Sequence, residues 1–289
     1  LAVAALAAAC GGASADDAAK PVTVRLGYFP NITHASAVYG VASGTYARGL
    51  GTTKLKTQTF NAGPAEVEAL FAGAIDAAYI GPGPAVNAFL KSRGDVVIVA
   101  GATSGGAALV VRPGVTDLKG LKIADPQTGG TQDIALRTYL ADKGLKVDKQ
   151  GAGDVSILAQ DNAQTLDLFK AGKVDGAWVP EPWASRLVLD GGGTVLVDEK
   201  ALWPSGQFVT TNLLVRKAFL AKHADVVKAL LKAQLAANDE IAADPAKAKT
   251  VINDALKQLT GKSLKPAVID RAFAQIVLTA DPLAASLKA

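Results

Sequence analysis

The sequence predicts an α/β protein of two lobes, each a mostly parallel sheet flanked by helices, with two crossing strands joining them. Three observations carry this. Strand-like and helix-like segments alternate from Val22 onward. A segment around residue 75 recurs about a hundred residues later. Two short β-branched stretches lie where the chain would pass between lobes.

In chain order, residues 22–29 read as a strand and 35–48 as a helix stopped by Gly49. Residues 55–60 alternate like a strand. Pro64 opens a helix that runs to Ala72, with Gly73 as its stop. Residues 75–80 form a buried strand, 84–91 a short helix and 96–100 a β-branched strand. A boundary follows at Pro113-Gly114. The second set is a strand at 121–124, a helix at 131–143 and a strand at 155–158. Asp161 and Gln164 have capping-box spacing for a helix that ends at Gly172. Strands at 174–179 and 194–197 flank a helix at 182–189. After a strand at 208–215 the chain is helical, over 217–220, 224–241, 245–259 and 266–278. Val226, Val227, Leu230, Leu231 and Leu235 give the longest of these an apolar face.

The repeat pairs Leu70-Phe71-Ala72-Gly73 through Asp76 and Tyr79 with Leu168-Phe169 through Gly172, Asp175 and Trp178. It is aligned with a one-residue insertion before the second glycine, and each copy runs into a Pro-rich turn. The expected lobes are 21–108 plus 214–289, and 113–207, with a hinge near 109–112 and 208–213. Such hinges let lobes close on a ligand.

Hydrophobic residues make up 49% of the 289 positions and charged residues 19%, which excludes a disordered chain. The net charge of +4 is only mildly basic, and no Lys/Arg cluster interleaved with aromatics points to nucleic acid. Cys10 is the single cysteine and His34 and His223 the only histidines. No disulfide, Cys/His zinc site or thiol–imidazole pair is expected, and no cofactor. Residues 1–9 are small and apolar, too short to span a bilayer, and precede Cys10-Gly11-Gly12. This resembles a bacterial lipoprotein cleavage site. It implies lipidation of Cys10, a polar tether over 11–20 and an extracytoplasmic, membrane-attached protein.

In open α/β sheets, ligands lie beyond the carboxyl ends of the strands. The turns there are rich in Ser, Thr, Asn and Gly, poor in Lys and Arg, and often open helices directly. Helix N-termini offer free amides and about half a positive charge. The pocket is therefore suited to a small oxyanion held by neutral donors. The candidate contacts are Asn31, His34, Pro82, Gly83, Ser104, Gly105, Thr128, Gly129, Thr131, Gln132, Trp178 and Glu181. His34 either donates to the anion or caps the helix that follows. Trp178 is either a core residue of its strand or, as the equivalent of Tyr79, half of a paired aromatic wall. Glu181 faces an amine or hydroxyl of the ligand, or else only stabilises its own helix.

Gly27-Tyr28-Phe29-Pro30-Asn31-Ile32-Thr33-His34, Ser104-Gly105-Gly106, residues 124–133 (ADPQTGGTQD) and residues 175–183 (DGAWVPEPW) together resemble the nitrate/sulfonate/taurine group of periplasmic binding proteins of ABC importers. The aliphatic-sulfonate members are nearest, and the resemblance covers most of 22–285. It implies the type II periplasmic-binding fold and a ligand clasped between the lobes. The expected role is non-enzymatic: a monomer captures an aliphatic sulfonate or taurine-like anion and delivers it to a permease with its ATPase. Nitrate, a sulfate ester or a pyrimidine precursor are the alternative ligands. An enzyme on the same fold, or the effector domain of a transcription regulator, is the alternative of another class. The group usually continues past Asp281-Pro282-Leu283 and this chain has no Met, so a parent chain longer at both ends is expected.

Overall fold

A computed structural model describes residues 21–288. Cys10 and its tether lie outside them. In the first half, β1 (Thr23–Tyr28) leads through a 3₁₀ turn (Ile32–His34) into α1 (Ala35–Ala42) and α2 (Thr45–Leu50). Then come β2 (Lys54–Thr59), α3 (Gly63–Phe71), β3 (Ala77–Ile80), α4 (Pro82–Lys91) and β4 (Val96–Gly105). The chain next forms β5 (Ala107–Val111), β6 (Lys122–Asp125), α5 (Thr131–Asp142), β7 (Ser156–Ala159) and α6 (Asn162–Lys170). After β8 (Gly176–Pro180), α7 (Trp183–Leu189) and β9 (Thr194–Asp198), two 3₁₀ turns lead to β10 (Val209–Arg216). The chain closes with α8 (Lys217–Lys222), α9 (Ala224–Ala243), α10 (Pro245–Thr260), α11 (Pro266–Ala274), β11 (Ile276–Leu278) and α12 (Ala284–Lys288).

Two sheets result, ordered β11-β4-β10-β3-β1-β2 and β7-β6-β8-β5-β9. In the first, β1 pairs parallel with β2 and β3, and β10 runs antiparallel between β3 and β4. In the second, β6 pairs parallel with β7 and β8, and β5 runs antiparallel between β8 and β9. In each sheet the inner antiparallel strand is the one that arrives from the other sheet, while β11 runs antiparallel along the outer edge of β4. Apolar layers cover both faces of each. Val67, Leu70, Ala85 and Ala88 of α3 and α4 pack on one side of the first sheet and the α1, α9 and α10 side chains on the other. Leu166, Phe169 and Leu187 face Leu136 and Leu140 across the second.

The sheets are built to one plan. Leu26 pairs with Ala77 as Ile123 pairs with Gly176, and Leu213 faces Tyr79 as Leu109 faces Trp178. Asp76 accepts from the Arg25 amide at 3.0 Å, and Asp175 from the Lys122 amide at 2.8 Å. Their carbonyls accept from the amides of Arg216 and Arg112 at 3.0 and 2.9 Å. The repeat runs without the expected insertion. α3 and α6 have the same length, so Leu70 corresponds to Phe169, and both are fully buried. The identical Leu-Phe pairs are one residue out of structural register, because burial and not identity sets the match.

Other local differences have clear causes. The expected 35–48 helix breaks at Gly44, which adopts φ +75°. It leaves Gly49 inside α2, where a Cβ would crowd Ala233 at 2.8 Å. The expected 266–278 helix ends at Ala274, because Ile276–Leu278 pairs with the free edge of β4. The expected hinge residues 109–111 and 209–213 lie inside β5 and β10, so the chain changes sheets at Gly105–Ala107 and across the 3₁₀ turns 199–206. No helix among the described residues is long and apolar enough to cross a membrane.

Candidate functional site

Four helices begin around one chamber between the sheets, two from each side. Gly63 opens α3, Gly81 precedes α4, Thr131 opens α5 and Asn162 opens α6, and all four line it. Each helix start leaves backbone amides without intrahelical partners and carries partial positive charge. The remaining walls include Phe29, Asn31, Thr33, His34, Gln132 and Thr210. None of the lining residues is Lys, Arg, Asp or Glu. The chamber is small, about 30 Å³, room for roughly two water-sized particles. A wider vestibule of about 600 Å³ adjoins it, with Asn61, Ala62 and Pro126 on the shared rim.

The lobes touch around this chamber. Trp183 Nε1 donates to Asn31 Oδ1 at 3.0 Å, and Asn61 Nδ2 to Asp161 Oδ2 at 3.3 Å. A Cβ on Gly81 would overlap Thr131 Oγ1, and one on Gly83 would lie 2.6 Å from Ile134. Two polar atoms at the chamber are buried without a protein partner, Thr131 Oγ1 and Asn162 Oδ1.

The structure brings together four of the sequence candidates, Asn31, His34, Thr131 and Gln132. His34 is there in an unexpected capacity. Its Nε2 donates to the Tyr79 carbonyl at 3.1 Å, leaving Nδ1 as acceptor for the Thr33 hydroxyl at 3.1 Å. Both nitrogens are thus spent inside the first lobe. It neither caps α1 through its side chain nor holds a free donor. Burial pulls its pKa down to about 3, so the ring is neutral. The Thr33 carbonyl, fixed by the hydroxyls of Thr103 and Thr211, completes this turn.

The other candidates fall elsewhere. Pro82 and Gly83 line a separate groove on the outer side of the α4–α5 contact. Thr128 is exposed, and the Gly129 amide already donates to Asp133 at 2.7 Å. Asp133 also accepts from Arg137 at 2.6 Å. Burial and then the Asp133 carboxylate push Asp125 up to about 8. Ser104 and Gly105 end β4 beside Val209 and Ile276, and the Gly105 carbonyl accepts from Thr210. The aromatic wall does not form. Trp178 is fully buried in the core, donating to Glu199 at 2.8 Å, and burial raises that carboxyl to about 7. Tyr79 is equally buried, bonded to Tyr46 and Gln234. Side chains alternate along a strand, and the matched register seals Tyr79 in the layer under α1 and α9 and Trp178 in the layer under α5.

Glu181 is also displaced. It is buried at the junction of the lobes, accepting from the Ser185 amide of its own helix at 3.0 Å. Arg271 of α11 reaches it at 3.3 Å, and burial raises its pKa. The Ser185 contact is a helix-stabilising arrangement of this carboxylate. The expected capping box also fails, since Asp161 makes no side-chain cap and turns to Asn61. Sequence reasoning places Asn162 in a turn beyond a strand end without counting it as a contact, and misses Thr210 at the chamber. Asn162 follows a residue already read as a cap, and Thr210 lies in the incoming strand β10, where no turn signal marks it.

The family model described as the NMT1-like family matches residues 17–254. The taurine-binding periplasmic protein of Escherichia coli K12 is 30% identical over 208 residues, 71% of this chain and 62% of that protein. A binding protein of Brucella abortus is 29% identical over 194 residues, 65% of this chain and 58% of its own length. The match therefore spans about three-fifths of these curated relatives. Among solved structures, the alkanesulfonate-binding protein SsuA of Xanthomonas axonopodis pv. citri, bound to MOPS, superposes with TM-score 0.76 at 26% identity, covering 93% of this chain and 90% of that one. The nitrate-binding protein NrtA of Synechocystis PCC 6803 gives 0.73 at 21%, over 88% and 70%. These neighbours share the two-lobed periplasmic-binding fold.

Proposed function

The chain belongs to the NMT1-like family, and on that premise we propose that it is the extracytoplasmic solute-binding component of an ABC importer for a small organic oxyanion, in the first place an aliphatic sulfonate. The observation that carries this reading is a chamber with no ionised side chain at which four helices begin. Such a chamber stabilises one compact negative charge through backbone and hydroxyl donors. Asn31, Thr131, Gln132 and Asn162 hold the anion, with Phe29 and Pro84 as apolar floor. The Thr131 hydroxyl, buried without a protein partner, gains one on binding.

Capture then proceeds by closure of one lobe on the other, and the closed form is delivered to a membrane permease with its ATPase. Lipidation of Cys10 keeps the monomeric protein at the membrane. An enzymatic role is disfavoured by the chemistry at hand, since the only imidazole at the chamber has both nitrogens engaged and no carboxylate lines it.

Isothermal titration of the protein with ethanesulfonate, 2-aminoethanesulfonate, a sulfate ester and nitrate tests the reading. Micromolar or tighter binding of at least one sulfonate is expected. Binding of nitrate alone would move the chain to the nitrate branch, and failure of all four would overturn the proposal.

A further inference from the structure

Resting on that reading, the turn that opens α5 onto the chamber has a second layer beneath it. The turn joins the end of β6 to α5, and Gly130, Thr131 and Gln132 line the chamber. A carboxyl group stands at each end. Asp133, in the first turn of α5, accepts from the Gly129 amide at 2.7 Å and from Arg137 Nε at 2.6 Å. Asp125, the last residue of β6, is fully buried, and both its oxygens lie without a hydrogen-bond partner among the described residues. An ionised carboxylate buried there is costly, and more so against a second carboxylate. Once it carries a proton, Asp133 is the side chain placed to accept from it.

The other charged groups nearby are committed. Arg137 of α5 is bonded to Asp133 and to the Asp148 carbonyl. Asp161, at the start of α6, turns to Asn61, and Glu181, just past β8, is held by Ser185 and Arg271. On β7 the residue paired with Asp125 is Ala159. We propose that Asp125 is a positioning residue of the binding site: protonated, it donates to Asp133 and locks the end of β6 to the turn whose amides meet the anion. Ionised, it faces Asp133 as a like charge and drives the turn off its place.

The test follows affinity against pH by isothermal titration with ethanesulfonate, and with nitrate as a second anion. Neither titrates between pH 6 and pH 9. Burial and the Asp133 carboxylate place the Asp125 proton at about 8. Roughly one molecule in ten then keeps it at pH 9, so affinity should be about tenfold lower there than at pH 6. Asp125→Asn keeps a donor for Asp133 that cannot ionise. It should bind within about twofold of the parent at pH 6 and hold that affinity to pH 9. Asp125→Ala, with no donor, should bind about tenfold more weakly already at pH 6. Glu66 and Glu199 are untouched in all three proteins, so the difference between profiles belongs to Asp125. A parent whose affinity is level from pH 6 to pH 9, or an Asp125→Asn profile that falls with it, would overturn the positioning role and leave the sulfonate reading standing. If neither anion binds, the sulfonate reading fails, and the amide resonance of Gly129 decides the rest. It should shift with a midpoint near 8 in the parent and stay level in Asp125→Asn; a level parent would overturn the positioning role as well.

Discussion

The turn after β3 and the turn after β8 occupy the same place in two sheets of one plan, yet they do different work. After Tyr79 the chain passes through Gly81-Pro82-Gly83-Pro84 and aims α4 at the chamber. After Trp178 it passes through Pro180-Glu181-Pro182, and the start of α7 meets Arg271 of α11 instead. One copy of the repeat opens a helix onto the chamber and the other holds the lobes together. A Lys265–Asp190 bridge at 2.7 Å adds to the second role. The lesson is that a shared backbone register fixes where a turn lies and leaves its partner to be chosen by what the rest of the chain brings there.

Substitutions at matched positions can break or sharpen this contrast. The largest effect is expected from Trp178→Ala, which empties a fully buried core site and strips Glu199 of its indole donor. A loss of about 3–5 kcal/mol in denaturant unfolding is expected. Its counterpart Tyr79→Phe removes only a hydroxyl held by Tyr46 and Gln234, and should cost about 1–2 kcal/mol.

A gain is expected in the first lobe. Glu66 of α3 is fully buried with both carboxyl oxygens unpartnered, whereas Thr165, its equivalent in α6, donates to the Gln160 carbonyl. Burial raises the Glu66 pKa well above its ordinary 4.5. The folded protein then holds a proton that the unfolded chain releases, so this contribution is full below 4.5 and is lost as pH rises through the folded value. Glu66→Leu should raise stability by about 1–3 kcal/mol at pH 8 and flatten the alkaline limb of the stability profile. His34 works at the other end. Its pKa of about 3 lies below the unfolded value of 6.5, so its contribution is present above 6.5 and fades as pH falls. Unchanged alkaline stability in Glu66→Leu would remove the asymmetry between the two helices.

Gly81→Ala addresses function. The added methyl overlaps Thr131 Oγ1 only when the lobes are together, and Gly81 itself has φ −69°. Ligand affinity should fall about tenfold, with little change in melting temperature. The smallest effect is expected for Glu181→Gln, which weakens the Arg271 contact across the lobes while the Ser185 amide keeps an acceptor. A loss near 1 kcal/mol, with ligand preference unaltered, would separate the docking turn from the binding turn.

Much of this was legible in the residues. Alternation, Gly stops and the Asp-aromatic repeat located the strands and helices, and turns beyond strand ends located the chamber through Asn31, Thr131 and Gln132. Orientation was harder to read. Nothing local says that Trp178 and Tyr79 are sealed in the core, since that depends on α5 for one and on α1 and α9 for the other, helices remote from these strands in the chain. Glu181 and Asp161 each sit at a helix start, where one carboxylate serves its own helix and the other turns away. Their partners, Ser185 and Arg271 for one and Asn61 for the other, include residues 90 and 100 positions distant, beyond any local pattern.

The antiparallel strand in each sheet also bears on how the chain is assembled. Residues 107–198 supply every strand of the second sheet without interruption, so it can form from one continuous stretch of chain. The first sheet is different, because β10 lies between β3 and β4 and is separated from them by that whole stretch. Its central seam stays open until residues 209–216 emerge and return, a long loop closure that slows late folding. Until then β3 and β4 present two raw edges, which makes the first lobe the dependent partner in maturation and the place where a holding chaperone has the most to protect.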